Sequence, residues 1–159
     1  MCEADEIGLS FEELKKQQRF IWRKAFGLEE TIAFCRVSGD HNRVHTDSEF
    51  AKAQGFPGGA VVHGVRSLAE VSKACGDTFF VPGVVCLNLQ AEFRRPVYHE
   101  KPYEFKLEVE QLISGRRKEA VLLFYVTGDD TGLPKICIAG KVKLKFPSAC
   151  YRLLEKQGA

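Results

Sequence analysis

The sequence has almost no net charge and lacks a long apolar run. Lysine and arginine together number 23 and aspartate and glutamate 21, so the formal net charge is +2. Nucleic-acid binding normally concentrates basic residues on one surface. The densest basic run here, Arg116-Arg117-Lys118, is typical of a solvated turn between strands. No apolar run approaches the roughly 20 residues that span a bilayer. We therefore expect no nucleic-acid partner and no membrane span.

Cysteine pairing motifs and targeting signals are also missing. The six cysteines form no C-x-x-C pair and lie mostly in apolar segments, which favours reduced core thiols and an intracellular compartment. The acidic start, residues 1–6, fits neither a secretory signal nor a mitochondrial presequence. These absences predict a cytoplasmic protein.

The length and composition favour one ordinary globular domain. The chain has 159 residues, of which 45% are apolar and 28% charged. This length is enough for one domain and short for two. There is no internal repeat or long linker, so we predict a single domain over residues 1–159, with its core at about residues 20–146.

The first half of the chain predicts several helices around one strand. Ser10 is a candidate N-cap for a short helix at residues 11–18. Alternation of aromatic and other residues indicates a strand at 20–26. Further helices are predicted at 28–37, from Thr46 or Asp47 to Gly55, and at 61–75. The last is the longest, and its apolar stripe consists of Val61, Val65, Leu68, Ala69, Val71 and Cys75. Val61-Val62 also favours a strand, which leaves the first residue of this helix open.

The second half, after Pro82-Gly83, is rich in strand-forming residues. Apolar or alternating segments at 84–97, 103–109, 120–127 and 136–146 predict four strands. Residues 128–132 carry a hairpin-turn signal, and Gly140 is a candidate β-bulge. Helices followed by a run of antiparallel strands indicate an α+β fold.

Residues 37–45 combine turn formers with two groups that can move protons. Asp40 and His45 are five residues apart, which on one ideal helix would separate their side chains by about 140°. Gly39 and Asn42 favour a turn instead, and Asn42 can fix that bend by local hydrogen bonding. A bend would let Asp40 act as a general base on a water molecule that His45 also holds.

A second feature is Gly64, at the start of the longest predicted helix. Its N–H has no Cβ beside it and is aimed by the helix dipole, so it is a candidate donor to an oxygen that gains negative charge. His41 and His45 are four apart, but the sequence has no H-E-x-x-H and no suitably spaced third ligand, so we predict no metal site. The absence of G-x-S-x-G argues against a serine nucleophile.

These segments resemble the MaoC-like family of (R)-specific enoyl-CoA hydratases and hydroxyacyl-thioester dehydratases. The family signature is S/T-G-D-x-N-P-hydrophobic-H, then about a dozen variable residues, then hydrophobic-V-H-G. This chain reads Ser38-Gly39-Asp40-His41-Asn42-Arg43-Val44-His45 and Val61-Val62-His63-Gly64. The likeness continues through residues 47–51, 55–56 and 93–97, and covers about residues 20–146.

The resemblance implies a hot-dog fold, in which an antiparallel sheet of about five strands wraps one long central helix. It also implies reversible hydration of trans-2-enoyl-CoA or acyl-carrier thioesters to (R)-3-hydroxyacyl thioesters, in a homodimer or higher homo-oligomer. Coenzyme A would be part of the substrate, and no cofactor is implied. The implied catalytic residues are Asp40 and His45, and the implied substrate-binding or neighbouring residues are Asn42, His63, Gly64 and Ser72.

Two other functions remain open on the same fold: an acyl-CoA thioesterase and a non-catalytic acyl-CoA-binding module. The chain departs from the signature at Arg43, where the family usually has proline. Arginine loosens the loop or reaches outward to a phosphate or carboxylate. Arg94 and Arg95 are expected on a solvated strand edge, and the alternative is that one of them points to a pocket mouth.

Overall fold

The computed structural model describes residues 8–129 and 134–148. A sheet of five strands is formed by β1 (Arg19–Ala25), β2 (Val85–Phe93), β3 (Pro102–Ile113), β4 (Glu119–Asp129) and β5 (Pro134–Lys145). The helices are α1 (Leu28–Ser38), α2 (Ser48–Ala53) and α3 (Gly64–Lys73). The sheet order is β1-β3-β4-β5-β2, and every neighbouring pair is antiparallel. The predicted α+β class is therefore confirmed. Of the predicted hairpin turn, residues 130–132 lie outside the described residues.

The core lies between α3 and one face of the sheet. Alternate residues of β3 and β4 are fully buried, as the period of two in a strand requires, and they are Phe105, Leu107, Val109, Ala120, Leu122, Phe124 and Val126. From the helical side Val71 joins the same cluster, followed by Ala74 and Cys75 in a π-helical turn at Ala74–Thr78. This is the hot-dog architecture, as expected.

The predicted bulge at Gly140 is wrong. The register between β4 and β5 shifts between Val126, opposite Ile138, and Thr127, opposite Ile136, so the extra residue is Cys137. Gly140 instead makes room for an aromatic ring: a Cβ there would lie 2.4 Å from Phe124 Cζ. The same Cβ would lie only 2.1 Å from the Gln90 carbonyl oxygen, so the glycine signal reflects close approach of both a backbone and a ring.

Two helices begin or end at residues other than those predicted. The helix predicted at 61–75 begins at Gly64, because Val61 bridges Tyr98 and the Val62 N–H donates to the Val97 carbonyl at 2.7 Å. Val65, placed on the inner stripe, is 65% exposed, whereas Ser67 and Glu70 are buried. The helix predicted at 11–18 is a single 3-10 turn at Phe11–Glu13. Pairing with distant segments sets the limit at both places: the β-branched Val61 and Val62 favour a strand, and the Gln17 N–H donates to the Val109 carbonyl at 2.8 Å.

Within residues 8–129 and 134–148, no helix combines the length and apolar character that a membrane crossing requires.

Candidate active site

The end of α1 sets the position of Asp40. Gly39 closes the helix in the left-handed conformation, with φ at 76°, and its N–H donates to the Cys35 carbonyl at 2.9 Å. The Asp40 N–H donates to Ser38 Oγ at 3.2 Å. The chain therefore reverses at Gly39 and projects the Asp40 carboxylate, which is 52% exposed, beside the next turn.

Asn42 holds the bend between Asp40 and His45. Its N–H donates to Asp40 Oδ1 at 3.1 Å, and its Oδ1 accepts from the Val44 N–H at 3.3 Å. The second contact caps a 3-10 turn at Arg43–His45, and the His45 N–H donates to the Asn42 carbonyl at 3.0 Å. The two side-chain contacts are the local hydrogen bonds expected of aspartate and asparagine in turns.

The His45 ring is fixed in one tautomer by the backbone. Its Nδ1 lies 2.8 Å from the Val61 carbonyl oxygen, which can only accept, so Nδ1 carries the proton. In the neutral ring Nε2 is consequently a hydrogen-bond acceptor, and it lies 3.8 Å from Asp40 Oδ2. That separation is too long for a direct hydrogen bond and short enough for one water to donate to both atoms.

His63 lies behind this pair and packs against both members. Its ring stacks on His45 with the centroids 3.6 Å apart. Its Nε2 lies 3.2 Å from the Asp40 carbonyl oxygen and 3.8 Å from Cys35 Sγ. Since a carbonyl accepts, His63 Nε2 donates its proton there. His63 thus supports the backbone of Asp40 and one face of the His45 ring.

The environment of His63 favours its neutral form. The residue is only 3% exposed, and burial lowers the pKa of His63 below its ordinary value of 6.5. The hydrogen bond to the Asp40 carbonyl and the Asp40 carboxylate raise this pKa, whereas His45 and His99 lower it. A neutral ring suits a position stacked directly on a second imidazole.

The three side chains also resemble a metal-ligand cluster. Asp40, His45 and His63 each offer one ligand atom, and these three atoms lie within 4.8 Å of one another. A metal would need the Nε2 lone pair of His63, but that nitrogen carries the proton given to the Asp40 carbonyl. The donor set therefore suits proton transfer better than metal binding.

A cavity of about 560 Å³ opens beside His45. His45, Asn42 and Gly64 line it together with a mainly apolar wall that consists of Val44, Phe56, Val61, Val62, Val65, Phe93, Pro96, Val97 and Ile138. Gly64 is the first residue of α3, where N–H groups have no partner within the helix. A Cβ at Gly64 would lie 2.5 Å from Phe93 Cε1, so the glycine also makes room for that ring.

Of the predicted site residues, only Ser72 lies apart from the others. It is exposed on α3 and does not line the cavity. Sequence reasoning missed His99, whose Nε2 lies 3.1 Å from the His45 carbonyl oxygen, and Cys35, which contacts His63. Neither residue lies in a motif, so only the fold brings them to the site.

Arg43 binds a carboxylate on the neighbouring helix. Its Nη2 lies 2.6 Å from Asp47 Oδ2, and its guanidinium stacks 4.5 Å above the Phe50 ring centroid. Asp47 also caps α2 by accepting from the Phe50 N–H at 2.9 Å. These hydrogen bonds, from the Phe50 N–H first and then from Arg43, hold the pKa of Asp47 below its usual range. The arginine thus ties the loop after α1 to the start of α2.

Comparison with known proteins gives a consistent picture. The MaoC like domain model matches residues 11–128. A 3-hydroxybutyryl-CoA dehydratase of Methylorubrum extorquens is 28% identical over 139 residues, which is 87% of this chain and 85% of that protein. An (R)-specific enoyl-CoA hydratase of Aeromonas caviae is 26% identical over 87% of this chain and all of that protein. The solved (R)-hydratase of A. caviae superposes with a TM-score of 0.77 at 25% identity, over 86% of this chain and 99% of that one.

Proposed function

The chain belongs to the MaoC-like domain family, and from the geometry of its site we propose that it reversibly hydrates trans-2-enoyl thioesters of coenzyme A or an acyl carrier to (R)-3-hydroxyacyl thioesters. The observation that carries the proposal is that two proton acceptors, Asp40 Oδ2 and His45 Nε2, lie 3.8 Å apart and that His45 lines the cavity. The relatives named above, a dehydratase and an (R)-specific hydratase, support the same reaction.

Asp40 and His45 activate the water. A water that donates one hydrogen to each acceptor directs its oxygen lone pairs away from them, towards the β-carbon of a bound enoyl group. As the C–O bond forms, Asp40 takes a proton from the water and the thioester becomes an enolate. The pair then returns a proton to the α-carbon, which leaves both side chains in their starting state.

Gly64 stabilises the enolate. Its N–H belongs to the first turn of α3, where the helix dipole favours negative charge. An N–H fixed in this way needs no reorganisation as charge develops on the thioester oxygen. The reaction moves protons without oxidation or reduction, so these residues supply its chemistry without a redox cofactor or metal.

We also propose a cytoplasmic homodimer or higher homo-oligomer. Strand β2 lies at one edge of the sheet, and Val85 and Leu87 on it are 53% and 45% exposed. An edge strand with exposed apolar side chains is suited to pairing with a second copy of the chain. Sedimentation at several protein concentrations tests this assembly.

Crotonyl-CoA tests the reaction. Hydration removes the conjugated double bond and its ultraviolet absorbance without releasing thiol. Asp40→Asn should lower the rate by about 100- to 10,000-fold, because it removes the general base. Glu49→Gln is a matched control, since Glu49 is 84% exposed and pairs only with the neighbouring Lys52 among its described contacts. Chiral analysis of the product should give the (R) isomer.

Other outcomes would point to other functions. Release of free thiol would identify a thioesterase. Binding of acyl-CoA without turnover, for short and long enoyl chains alike, would identify a non-catalytic module. Either result would refute the hydratase proposal.

A further inference from the structure

Two arginines follow β2 and line the same cavity as His45 and Gly64. Arg94 and Arg95 are both exposed, so they lie on the open side of that cavity. Their backbone N–H groups both donate to the Cys137 carbonyl, at 2.8 and 3.0 Å. Cys137 is the bulged residue of β5 and lies next to Ile138, the last residue of β5 that pairs with β2, so the bulge fixes the backbone of both arginines at the cavity.

The two arginines differ in how their charge is balanced. Arg94 directs Nε and Nη2 to Glu92 Oε2, at 3.2 and 2.8 Å. Arg95 donates from Nη1 to the Ile136 carbonyl at 2.9 Å. That contact fixes the guanidinium without neutralising it, and among residues 8–129 and 134–148 no carboxylate lies within 4 Å of Arg95. Four of its five N–H donors remain for a ligand.

The rest of the cavity has few groups that could bind an anion. Among the described residues that line it, Arg94 and Arg95 are the only ones with a permanent positive charge, and most of its wall is apolar. Arg43, in the loop between α1 and α2, already pairs with Asp47. A ligand with a neutral reacting end and an anionic distal end would therefore place its anion at Arg95. A guanidinium matches phosphate well because its planar N–H groups can bind two oxygens together.

We propose that Arg95 binds a phosphate of the carrier to which the acyl thioester is attached, and so makes phosphate-bearing thioesters better substrates than neutral ones. This proposal rests on the function proposed above. The acyl and pantetheine parts of the substrate would then contact the apolar wall of the cavity, and the anionic part of the carrier would contact Arg95.

Three crotonyl thioesters with one reacting group test the assignment: crotonyl-CoA, crotonyl-4′-phosphopantetheine and crotonyl-pantetheine, which has no phosphate. Arg95→Gln should lower kcat/KM for crotonyl-CoA by about 10- to 100-fold, the range for losing a charge-assisted hydrogen bond, mainly through KM. Arg95→Gln should leave kcat/KM for crotonyl-pantetheine within about 2-fold of the wild-type value. Arg95→Lys should recover part of the kcat/KM that Arg95→Gln loses with crotonyl-CoA. The matched variant Arg94→Gln should have a smaller effect, since Arg94 already pairs with Glu92.

The phosphopantetheine ester identifies the phosphate. If Arg95→Gln lowers kcat/KM for the phosphopantetheine ester as much as for crotonyl-CoA, the contact is to the 4′-phosphate that coenzyme A and acyl carriers share. If only crotonyl-CoA suffers, the contact is to the nucleotide end of coenzyme A. An equal loss with crotonyl-pantetheine would overturn the proposal, because Arg95 would then only shape the cavity. An equal loss in Arg94→Gln and Arg95→Gln would also overturn it.

Failure of the proposed function would be seen separately. A wild type that hydrates none of the three esters refutes the hydratase, and calorimetric binding of coenzyme A then tests Arg95 by itself. Weaker binding in Arg95→Gln, with a reduced dependence on salt, supports the phosphate contact. Unchanged binding refutes it.

Discussion

The centre of the sheet and the site loop, residues 39–46, are held in place by different forces. At the centre of β4 every second side chain is fully buried, as Leu122, Phe124 and Val126 show. In the site loop no side chain is buried, and residues from 36 to 50 are all exposed or half-buried. The loop keeps its shape through hydrogen bonds and ring stacking around Asn42, His45 and His63. Burial of apolar side chains therefore stabilises the sheet, and hydrogen bonds and ring stacking fix the positions of the side chains in the site loop.

The difference predicts that the two regions will respond oppositely to substitution. A buried side chain of the sheet should contribute to the free energy of unfolding and little to chemistry. A polar side chain of the loop should contribute to chemistry and little to unfolding, because its atoms remain near water in both states.

The largest expected effect on stability is at Phe124. Phe124→Ala should lower the free energy of unfolding by about 3–5 kcal/mol, because it removes a fully buried ring and leaves a cavity above Gly140. Denaturant unfolding measures the loss. At temperatures where the variant remains folded, its kcat/KM should stay close to wild type.

Leu123→Ala provides the control on the same strand. Leu123 is adjacent to Phe124 on the opposite, half-buried face, so its truncation should cost clearly less stability. Similar losses at the two positions would contradict the view that one sheet face carries the stability.

The next effect concerns the chemistry at Gly64, which has two possible reasons to be glycine. The substrate needs the space that a side chain at residue 64 would fill, or the Phe93 ring needs it. A Cβ at residue 64 would lie 2.5 Å from that ring. We expect Gly64→Ala to lower kcat/KM by about 100-fold through displacement of the thioester, the cost of roughly a 1 Å error. Its free energy of unfolding should change little, because Phe93 is 55% exposed and its ring can move.

The double variant Gly64→Ala/Phe93→Ala separates the two reasons. Measured against Phe93→Ala alone, it should remain about as impaired as Gly64→Ala is against wild type. Full recovery would mean that Gly64 serves only to accommodate the ring.

A smaller effect should appear as the pH falls through His63. Burial lowers the pKa of His63 in the folded state below 6.5, so in mildly acidic solution the unfolded chain binds a proton more readily than the folded one. By linkage, stability is complete above about pH 6.5 and decreases as the pH falls towards the folded pKa. Urea unfolding at about pH 7.5 and 5.5 should show this decrease in wild type and a smaller one in His63→Asn. Equal decreases would assign the pH dependence to other groups.

The same contrast explains what could be predicted from sequence. Alternation along β3 predicted a strand because burial on one face leaves a period of two, and the apolar, strand-forming run at 120–127 predicted β4. The motif predicted Asp40, Asn42 and His45 together, because turn chemistry is local. The start of α3 and the supporting roles of His99 and Cys35 could not be predicted. They depend on contacts between segments that are distant in sequence, and Val61 pairs with Tyr98 although its own neighbourhood also favours helix.

The smallest expected effect is at Arg43, where the family usually has proline. Asn42, the preceding residue, has φ at −58° and ψ at 123°, the region that a residue before proline prefers. Position 43 begins a 3-10 turn, and proline is tolerated at a first helical position because the N–H there has no partner within the helix. The backbone of the loop is therefore already compatible with proline.

Arg43→Pro should consequently leave the site intact and raise the free energy of unfolding by at most about 1 kcal/mol, through reduced freedom of the unfolded chain. The ion pair with Asp47 would be lost, but its partners are 65% and 36% exposed, and such pairs contribute little. Arg43→Ala is the control, since it removes the same ion pair without restricting φ. If Arg43→Pro abolished hydration while Arg43→Ala did not, the loop would need freedom at residue 43 during catalysis, and hydrogen bonds and stacking alone would not account for its function.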